Sequence, residues 1–482
     1  MNYQRISRLI GILLVVLAGC MLTSVPWSWY YNEPSTIWAF VYSAGITAAI
    51  GGGAWWYGHH DKGTIFRAEA IVVVGLSWLL LGVFGGLPYM FDGAFTNPAD
   101  AYFEAISGFT TTGSTVLTDI AGQSYGLHWW RTLTHWLGGM GIIVLFVAIF
   151  PQLGVGGKFL FKSEVPGPIT EGLKPKIKST ASMLWWIYVG FTVTEALILK
   201  GWGMTWHDAF THSFATMATG GFSTKNGSVG EFDSAFVDYT ITLFMIFAGI
   251  NFGLYYELFR GKAKSLLRDR EFWTYLGLVG VATLMVTINI YDAVHDTIAD
   301  SFRYAIFQVV GVVTTTGFGT DNFDVYPPLS RLLLVLLMFV GGMAGSTAGG
   351  MKIIRFMVVV KAIYGEVYKT FRPQSVMAVR VGRSVIPQRT VMAILGFFAV
   401  GMLVFGLSSL YMAAMGLDIV TATTSVAATL FNIGPGLARV GSVENFAFIR
   451  TDGKILLSLC MIFGRLEFMT LLVLLLPEFW KR

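Results

Sequence analysis

The sequence predicts an all-α polytopic membrane protein that consists of four fused repeats of span, short helix and span, with two further transmembrane helices at the N-terminus. Three observations support this fold class: an apolar composition, ten long uncharged stretches, and four similar short segments between spans. Of the 482 residues, 54% are hydrophobic and 13% are charged, and the mean hydropathy is +0.64. These values exclude a set of soluble domains.

Ten stretches of about 20 residues are nearly free of charge, which is the length that a helix needs to cross a bilayer. They cover residues 9–30, 38–57, 70–91, 132–150, 181–199, 235–256, 272–291, 332–363, 390–415 and 455–476. Arg5 and Arg8 precede the first stretch, as basic residues do in a signal peptide. Because its apolar run is too long for a signal peptide and a second span follows directly, we expect a retained helix.

Lys and Arg are distributed unequally between the alternate connections. If the N-terminus is cytoplasmic, the inner segments hold 24 of the 33 Lys and Arg residues and the outer segments hold 8, with Arg465 inside the last span. The positive-inside rule therefore predicts that both termini are cytoplasmic. The net charge of +5 follows this topology and does not indicate nucleic-acid binding. The inner basic segments are expected to contact anionic lipid or an acidic soluble partner.

Four outer connections share one pattern, a short apolar segment that begins at an acid and ends at a glycine. The segments run from Asp100 to Gly113, from Asp208 to Gly220, from Asp300 to Gly317, and from Asp418 to Gly434. Their glycines are 107, 97 and 117 residues apart, which predicts a repeat of about 100 residues. The predicted units are residues 1–69 for the two N-terminal helices, followed by 70–170, 171–268, 269–387 and 388–482.

The four segments are too short to cross a bilayer as helices and too apolar for solvent loops, so we expect re-entrant half-helices. An acid at the outer start favours a helix N-terminus there, and the partially negative C-terminus then points into the membrane. Glycine allows the next turn to expose its carbonyl oxygens, which is tolerated at this depth only around a cavity. Rings of carbonyls replace the hydration shell of a monovalent cation, so four such turns predict one central cation pore, whereas one alone would indicate an ordinary turn.

At these segments the sequence resembles the TrkH/KtrB family of potassium-translocating subunits, which are related to plant HKT transporters and built from four fused units of the potassium-channel type. The likeness covers residues 70–476, and its motifs are FTTTGST around Gly113, ATGGFST around Gly220, TTTGFGTDNF around Gly317 and NIGPG around Gly434. The two extra N-terminal helices match the longer, TrkH-like members. The resemblance implies potassium uptake across a bacterial inner membrane, with potassium as substrate and no cofactor on this chain.

The resemblance also implies which residues form the potassium selectivity filter. They are the residues of the four turns, namely Thr111, Thr112, Gly113, Thr219, Gly220, Thr315, Thr316, Gly317, Asn432, Ile433 and Gly434. In the plant relatives a serine at the first glycine position accompanies sodium preference, so Gly113 favours potassium. The fourth turn departs most from a Thr-Thr-Gly pattern, which predicts a less regular filter than that of a symmetric tetramer.

The eighth span contains five glycines within residues 341–350, enough to interrupt a helix. Gly341, Gly345 and Gly349 also fit the small-xxx-small pattern of a helix packing face, which is the alternative. We favour an unwound loop beneath the filter, because Ser346 and Thr347 add polar groups that only a cavity requires. TrkH-like proteins use this stretch as an intramembrane gating loop, which implies a gating role for Gly345, Ser346, Thr347 and Gly349.

Arg465 is predicted to lie within the last span, where a charge costs at least about 2.5 kcal/mol and therefore faces a pore or a partner. One interpretation is a structural ion pair with Glu467 or Glu195. The resemblance favours a pore-facing arginine that repels cations and whose N–H groups hold carbonyls of the glycine loop.

Function classes other than a pore are also considered. A proton- or sodium-coupled cation symporter with inverted repeats is the alternative, disfavoured because the repeats share one orientation. A membrane enzyme is disfavoured because the sequence has no clustered acid, base or metal site and no nucleotide-binding motif, and the scattered histidines are interpreted as interfacial or packing residues. The resemblance further implies a membrane homodimer and a cytosolic nucleotide-binding partner of the TrkA/KtrA type.

Overall fold

The computed structural model describes residues 1–61, 63, 65–141, 177–375, 377–382, 384–466 and 468–480. Three helices precede the predicted repeats, and these are α1 (Tyr3–Met21), α2 (Val25–Tyr30) and α3 (Pro34–Gly58). Helices α1 and α3 pack closely, because a Cβ on Gly11 would collide with the backbone at Gly51 and Trp55. Glycine at this position therefore allows the first two spans to form a tight hairpin.

The remaining helices follow in four groups. The first group is α4 (Arg67–Gly85), α5 (Leu87–Asp92), α6 (Pro98–Phe109) and α7 (Tyr125–Gly139). The second is α8 (Ile177–Gly201), α9 (Trp206–Met217), α10 (Ala235–Ala248), α11 (Phe252–Phe259) and α12 (Ala263–Arg268). The third is α13 (Arg270–Ile290), α14 (Ile298–Val313), α15 (Pro328–Met338) and α16 (Ile353–Phe371). The fourth is α17 (Gln388–Ala414), α18 (Ile419–Leu430), α19 (Thr451–Leu466), α20 (Phe468–Leu472) and α21 (Pro477–Trp480).

A few short elements complete the described chain. Strands β1 (Arg380–Val381) and β2 (Ser384–Val385) pair antiparallel between α16 and α17, with Arg380 opposite Val385. Single 3₁₀ turns cover Leu22–Ser24, Ser228–Phe232, Phe323–Val325, Ala438–Val440 and Val473–Leu475.

Six helical stretches are long and apolar enough to cross a membrane, and they confirm six of the ten predicted spans. They are Tyr3–Tyr30, Pro34–Gly58, Ala68–Asp92, Ser182–Gly201, Arg270–Ile290 and Gln388–Ala414. Of the fourth predicted span, 132–150, residues 132–139 belong to α7, and residues 142–150 lie outside the described residues. The eighth, 332–363, is divided into α15 and α16 by an unwound segment, and the tenth, 455–476, is represented by α19 and the short α20.

The prediction of one continuous span over residues 235–256 is wrong. Helices α10 and α11 meet there at an angle of 91°. Asn251 causes the break, because its side-chain oxygen accepts a hydrogen bond from the Gly253 amide and so caps a new helix. The freed carbonyl of Gly249 accepts a hydrogen bond from Met343. Hydropathy alone does not reveal this bend, since the residues on both sides remain apolar.

Helices α6, α9, α14 and α18, here called the inserted helices, are the four predicted short helices. Their C-terminal halves are almost wholly buried. The acids lie in their first turns, but only Asp418 is the N-cap; Asn97, Thr205 and Thr297 cap the other three, with Asp100, Asp208 and Asp300 at the third helical position. Either placement stabilises the positive end of the helix.

The inserted helices form the centre of a closed arrangement. Each one packs between the helix that precedes it and the helix that follows it. The following helix also packs on the inserted helix of the next group: α7 on α9, α10 on α14, α15 on α18, and α19 back on α6. The four groups therefore surround one axis, and the turns after the inserted helices are brought together there.

Candidate ion pore

The four inserted helices end in the same backbone conformation. In each, a residue other than glycine has positive φ, and a glycine with positive φ follows two residues later. The amide of the residue between them donates to the carbonyl five residues earlier, at 2.8 to 2.9 Å, so each turn is fixed by its own helix. The four turns consist of Thr111, Thr112 and Gly113; Thr219, Gly220 and Gly221; Thr315, Thr316 and Gly317; and Asn432, Ile433 and Gly434.

The second turn differs by one residue from the sequence-based assignment. Gly221 has a φ of +77° and matches Gly113 at +84°. Gly220 instead takes the place of Thr112, because its amide makes the equivalent hydrogen bond to Ala215 at 2.8 Å. The sequence-based assignment chose Gly220 from the two adjacent glycines of ATGGFST, and the end of α9 places Gly221 at this position instead.

The four glycines with positive φ in these turns, here called the glycine ring, each contact the next turn around the axis. They are Gly113, Gly221, Gly317 and Gly434. A Cβ on Gly113 would collide with the carbonyl oxygen of Gly220, one on Gly221 with that of Thr316, and one on Gly317 with that of Ile433. A Cβ on Gly434 would lie 2.8 Å from the carbonyl oxygen of Thr112, which closes the circle. Positive φ and these close approaches together explain why all four positions are glycine.

A cavity of about 120 Å³ opens on one side of the glycine ring. Its walls are Gly113, Gly317 and Gly434 together with residues that follow the turns, such as Ser114, Ser223 and Glu444. Ser114 donates to the carbonyl oxygen of Gly434 at 2.8 Å and so joins the first turn to the fourth. The cavity is polar, as a path for a hydrated ion requires.

Two buried oxygens beside the ring lack a hydrogen-bond partner among the described residues. These are Oγ1 of Thr111 and Oδ1 of Asn432, whose residues are 0% exposed. The Asn432 Nδ2 donates to Thr112 Oγ1 at 2.9 Å and to the Met461 carbonyl at 3.0 Å, which fixes the amide orientation. Because buried polar atoms are normally paired, Thr111 Oγ1 is suited to contact a cation. Asn432 Oδ1 instead faces α19, where it would lie 2.7 Å from a Cβ on Gly464.

Residues 339–352, here called the glycine loop, separate α15 from α16. The loop is unwound, with positive φ at Gly341, Gly345, Gly350 and Lys352, so the packing-helix alternative does not hold. Glu271 of α13 accepts hydrogen bonds from the amides of Ala344 at 2.8 Å and Ile354 at 3.2 Å. One carboxylate oxygen thus holds both the middle of the loop and the start of α16.

The glycine loop contacts the C-terminal ends of the inserted helices. Gly349 donates to Thr315 Oγ1 at 2.6 Å, and Gly350 donates to the Phe431 carbonyl at 3.0 Å. The Thr347 hydroxyl is 3.0 Å from the Met217 carbonyl, at the end of α9. These partners precede the glycine ring in the chain, whereas the cavity is lined by residues that follow it. The ring therefore lies between the loop and the cavity.

Comparison with known proteins identifies the family. The TrkH family model, described as a cation transport protein, matches residues 37–482. The Trk system potassium uptake proteins TrkH of Salmonella typhimurium and of Escherichia coli (strain K12) are each 40% identical over 489 residues, covering 100% of both chains. The crystal structure of the potassium transporter TrkH from Vibrio parahaemolyticus matches with a TM-score of 0.88 and 34% identity over 100% of both chains.

This chain belongs to the TrkH family. It is accordingly a multi-pass membrane protein of cation transport and not an enzyme. The family match begins at residue 37, while the curated relatives cover the N-terminal helices as well. The recognition made from the four glycine turns is confirmed.

In this TrkH-family chain, Arg465 lies in the last turn of α19 and joins the glycine loop to α7. Its guanidinium donates to the Thr347 carbonyl of the glycine loop at 3.0 Å, and to the carbonyls of Gly138 and Gly139 in α7 at 2.6 and 3.1 Å. Neither oxygen of Glu195 accepts a hydrogen bond within the described part of the chain, so Glu195 is not its partner. Glu467 lies outside the described residues.

Several buried polar residues near the ring carry no recognisable motif in the sequence. Glu104, Arg131 and His135 are buried beside the turns of the first two groups, and Glu271 anchors the glycine loop. The available signal was charge in an apolar setting: Glu104 interrupts the apolar face of α6, and Arg131 adjoins a predicted span. His135, interpreted as a packing residue, has both ring nitrogens hydrogen-bonded within this region.

Proposed function

We propose that this chain takes up potassium ions across a bacterial inner membrane through a single-chain pore. The observation that carries the proposal is the closed circle of the glycine ring, in which four equivalent turns from one chain meet on one axis. Because the C-terminal ends of four helices point to the same place, their partial negative charges favour a cation there. The names of the relatives support potassium as that cation.

The proposed selectivity filter consists of the three residues of each turn, from Thr111 to Gly113, Thr219 to Gly221, Thr315 to Gly317 and Asn432 to Gly434. Their carbonyl oxygens replace water around the ion. Thr111 Oγ1 is buried without a hydrogen-bond partner among the described residues and supplies a further oxygen ligand. The fourth turn carries Asn432 and Ile433 in place of threonines, which makes the filter less regular and its discrimination weaker than that of a symmetric channel.

The glycine loop is the proposed gate, with Arg465 as the residue that holds it closed. The loop lies directly below the ring and contacts Thr315 and Phe431 beside it. Arg465 connects the loop to α7 through three hydrogen bonds, and its positive charge opposes the entry of cations. Gly345, Ser346, Thr347 and Gly349 supply the flexibility and the contacts of this segment.

The assembly and orientation are also proposals. Both termini are cytoplasmic according to the distribution of basic residues. The basic inner segments, among them the hairpin of β1 and β2, would face a cytosolic nucleotide-binding subunit of the TrkA type or anionic lipid, and two chains would form a membrane homodimer, each with its own pore.

Flux in liposomes tests the proposed function directly. Purified protein is reconstituted, and rubidium uptake is measured in a potassium gradient, first without and then with a pH or sodium gradient. We expect uptake that follows the potassium gradient alone. Uptake that requires the proton or sodium gradient would favour the symporter, and vesicles impermeable to potassium and rubidium would contradict both.

A further inference from the structure

A buried ion pair lies directly behind the turns of the first two groups. Glu104 of α6 is 0% exposed and Arg131 of α7 is 1% exposed. Arg131 Nε donates to Glu104 Oε1 at 2.9 Å. Because two charges removed from water are costly unless they are fully hydrogen-bonded, such a pair needs further partners.

Those partners belong to the chain segments that directly follow Gly113 and Gly221 of the glycine ring. Glu104 Oε2 accepts the amide of Val116 at 2.9 Å, and Oε1 accepts the Thr115 hydroxyl at 2.9 Å, both in the first group. Arg131 Nη1 donates to the carbonyl of Ser223 at 3.1 Å, in the second group. The pair therefore holds the segments of two neighbouring groups, at positions two to three residues beyond their ring glycines.

Phe222 and His135 extend this network of Glu104, Arg131 and their hydrogen-bond partners, here called the brace, towards the ring. The Arg131 guanidinium lies 4.1 Å from the centroid of the Phe222 ring. The Phe222 amide donates to His135 Nε2 at 3.2 Å, so Nδ1 carries the proton that His135 donates to the Gly108 carbonyl at 2.7 Å. One face of α7 thus fixes the residue directly after Gly221 and the end of α6 together.

The other groups have weaker braces at the equivalent position, nine residues before the ring glycine. His212 bonds to the Ser223 hydroxyl at 2.9 Å, and Gln308 donates to the Asp321 carbonyl at 3.2 Å. Ser425 bonds only within its own helix, to Ala422 at 3.0 Å. A charged brace between two groups thus occurs at this position only in the first, among the described residues.

We propose that Glu104 and Arg131 are positioning residues that set the preference of the pore for potassium over sodium. The inference rests on the proposed function. Carbonyl ligands discriminate between ions only if the spacing of their oxygens is maintained. The brace fixes the chain segments that continue from Gly113 and Gly221, and so helps to maintain that spacing. Neither residue touches the ion; both act through Thr115, Val116 and Ser223.

The test compares Glu104→Gln, Arg131→Gln and the double variant in liposomes, with reversal potentials in opposed potassium and sodium gradients and with thermal unfolding of each protein. We expect each single variant to lower the potassium-to-sodium permeability ratio about tenfold, equivalent to about 1.4 kcal/mol. Each single variant also loses stability, because one buried charge is left unpaired. The double variant is expected to regain stability but not selectivity, and it carries the test if the single variants do not fold.

Asp238→Asn is the matched control, since Asp238 pairs with Arg303 at 2.7 Å between α10 and α14 and is buried to a similar degree, but neither residue contacts a ring turn. It should lower stability and leave the permeability ratio unchanged. An unchanged ratio in folded Glu104→Gln or Arg131→Gln, recovery of the ratio in the double variant, or an equal loss in Asp238→Asn would each overturn the inference. If vesicles with the wild-type protein pass neither ion, the proposed function fails together with the inference. The outcomes above, by contrast, concern the inference alone.

Discussion

The glycine ring and the glycine loop both depend on glycine within the membrane, but they are held in different ways. Each turn of the ring is fixed by a hydrogen bond to its own helix, five residues earlier. The loop is fixed by distant groups, such as the Arg465 guanidinium, the Glu271 carboxylate and the Thr315 hydroxyl. Each turn of the ring therefore keeps its own shape while its helix persists, and long-range bonds such as Ser114 to Gly434 set only the spacing between turns. A loop whose shape itself depends on tertiary bonds is suited to move when those bonds exchange.

The largest effect is expected from Gly221→Ala, which attacks the ring itself. Alanine at a φ of +77° is strained, and its Cβ would collide with the Thr316 carbonyl oxygen. We expect rubidium flux to fall to background in vesicles. Gly190→Ala is the control, because a Cβ there meets no atom within 4 Å. Normal flux in folded Gly221→Ala would contradict the proposal that ions pass through the glycine ring.

Arg465→Ala attacks the loop and should have the opposite sign. The change removes three hydrogen bonds that join the loop to α7. If the closed state loses about 1.4 kcal/mol of stability relative to the open state, the open population rises about tenfold, so basal flux should increase by about that factor. Arg450→Ala is a control near the start of the same helix, since its side chain is 70% exposed. A folded Arg465→Ala protein with wild-type flux would remove Arg465 from the gate.

Gly113→Ser tests selectivity within the ring. The side chain would press on the Gly220 carbonyl oxygen from a residue with a φ of +84°, so total flux should fall, as in Gly221→Ala. In the flux that remains, we expect sodium permeability to rise about tenfold relative to potassium, which corresponds to about 1.4 kcal/mol. Reversal potentials measure this ratio. Gly319→Ser provides the control, because its Cβ would make only ordinary contacts, at 3.5 Å or more. Unchanged selectivity in Gly113→Ser would count against the filter assignment.

The contrast between ring and loop also explains what the sequence could reveal. Each turn of the ring is a local feature, so threonines and glycines at a repeated spacing predicted three of its four glycines. In the doubled glycine of ATGGFST the prediction chose Gly220, one residue before the ring glycine Gly221. The glycine content also predicted that the loop is unwound. Its anchors could not be predicted, since Glu271 lies 73 residues from Ala344 and nothing local links the two. The same holds for Glu104 and Arg131, which lie 27 residues apart. The bend at Asn251 has a local cause, the cap on Gly253, but the hydropathy pattern does not record it.

The smallest effect is expected from Glu271→Gln, which distinguishes the two ways of anchoring the loop. The amides of Ala344 in the loop and Ile354 in α16 both bond to one oxygen of Glu271, and glutamine retains such an acceptor. Flux and thermal stability should therefore stay within about twofold and within about 1 kcal/mol of wild type. Glu271→Ala leaves the amides of Ala344 and Ile354 without that acceptor, and should raise basal flux as Arg465→Ala does, though less. If the glutamine variant were as leaky as the alanine variant, the negative charge of Glu271, and not its hydrogen bonds, would hold the loop.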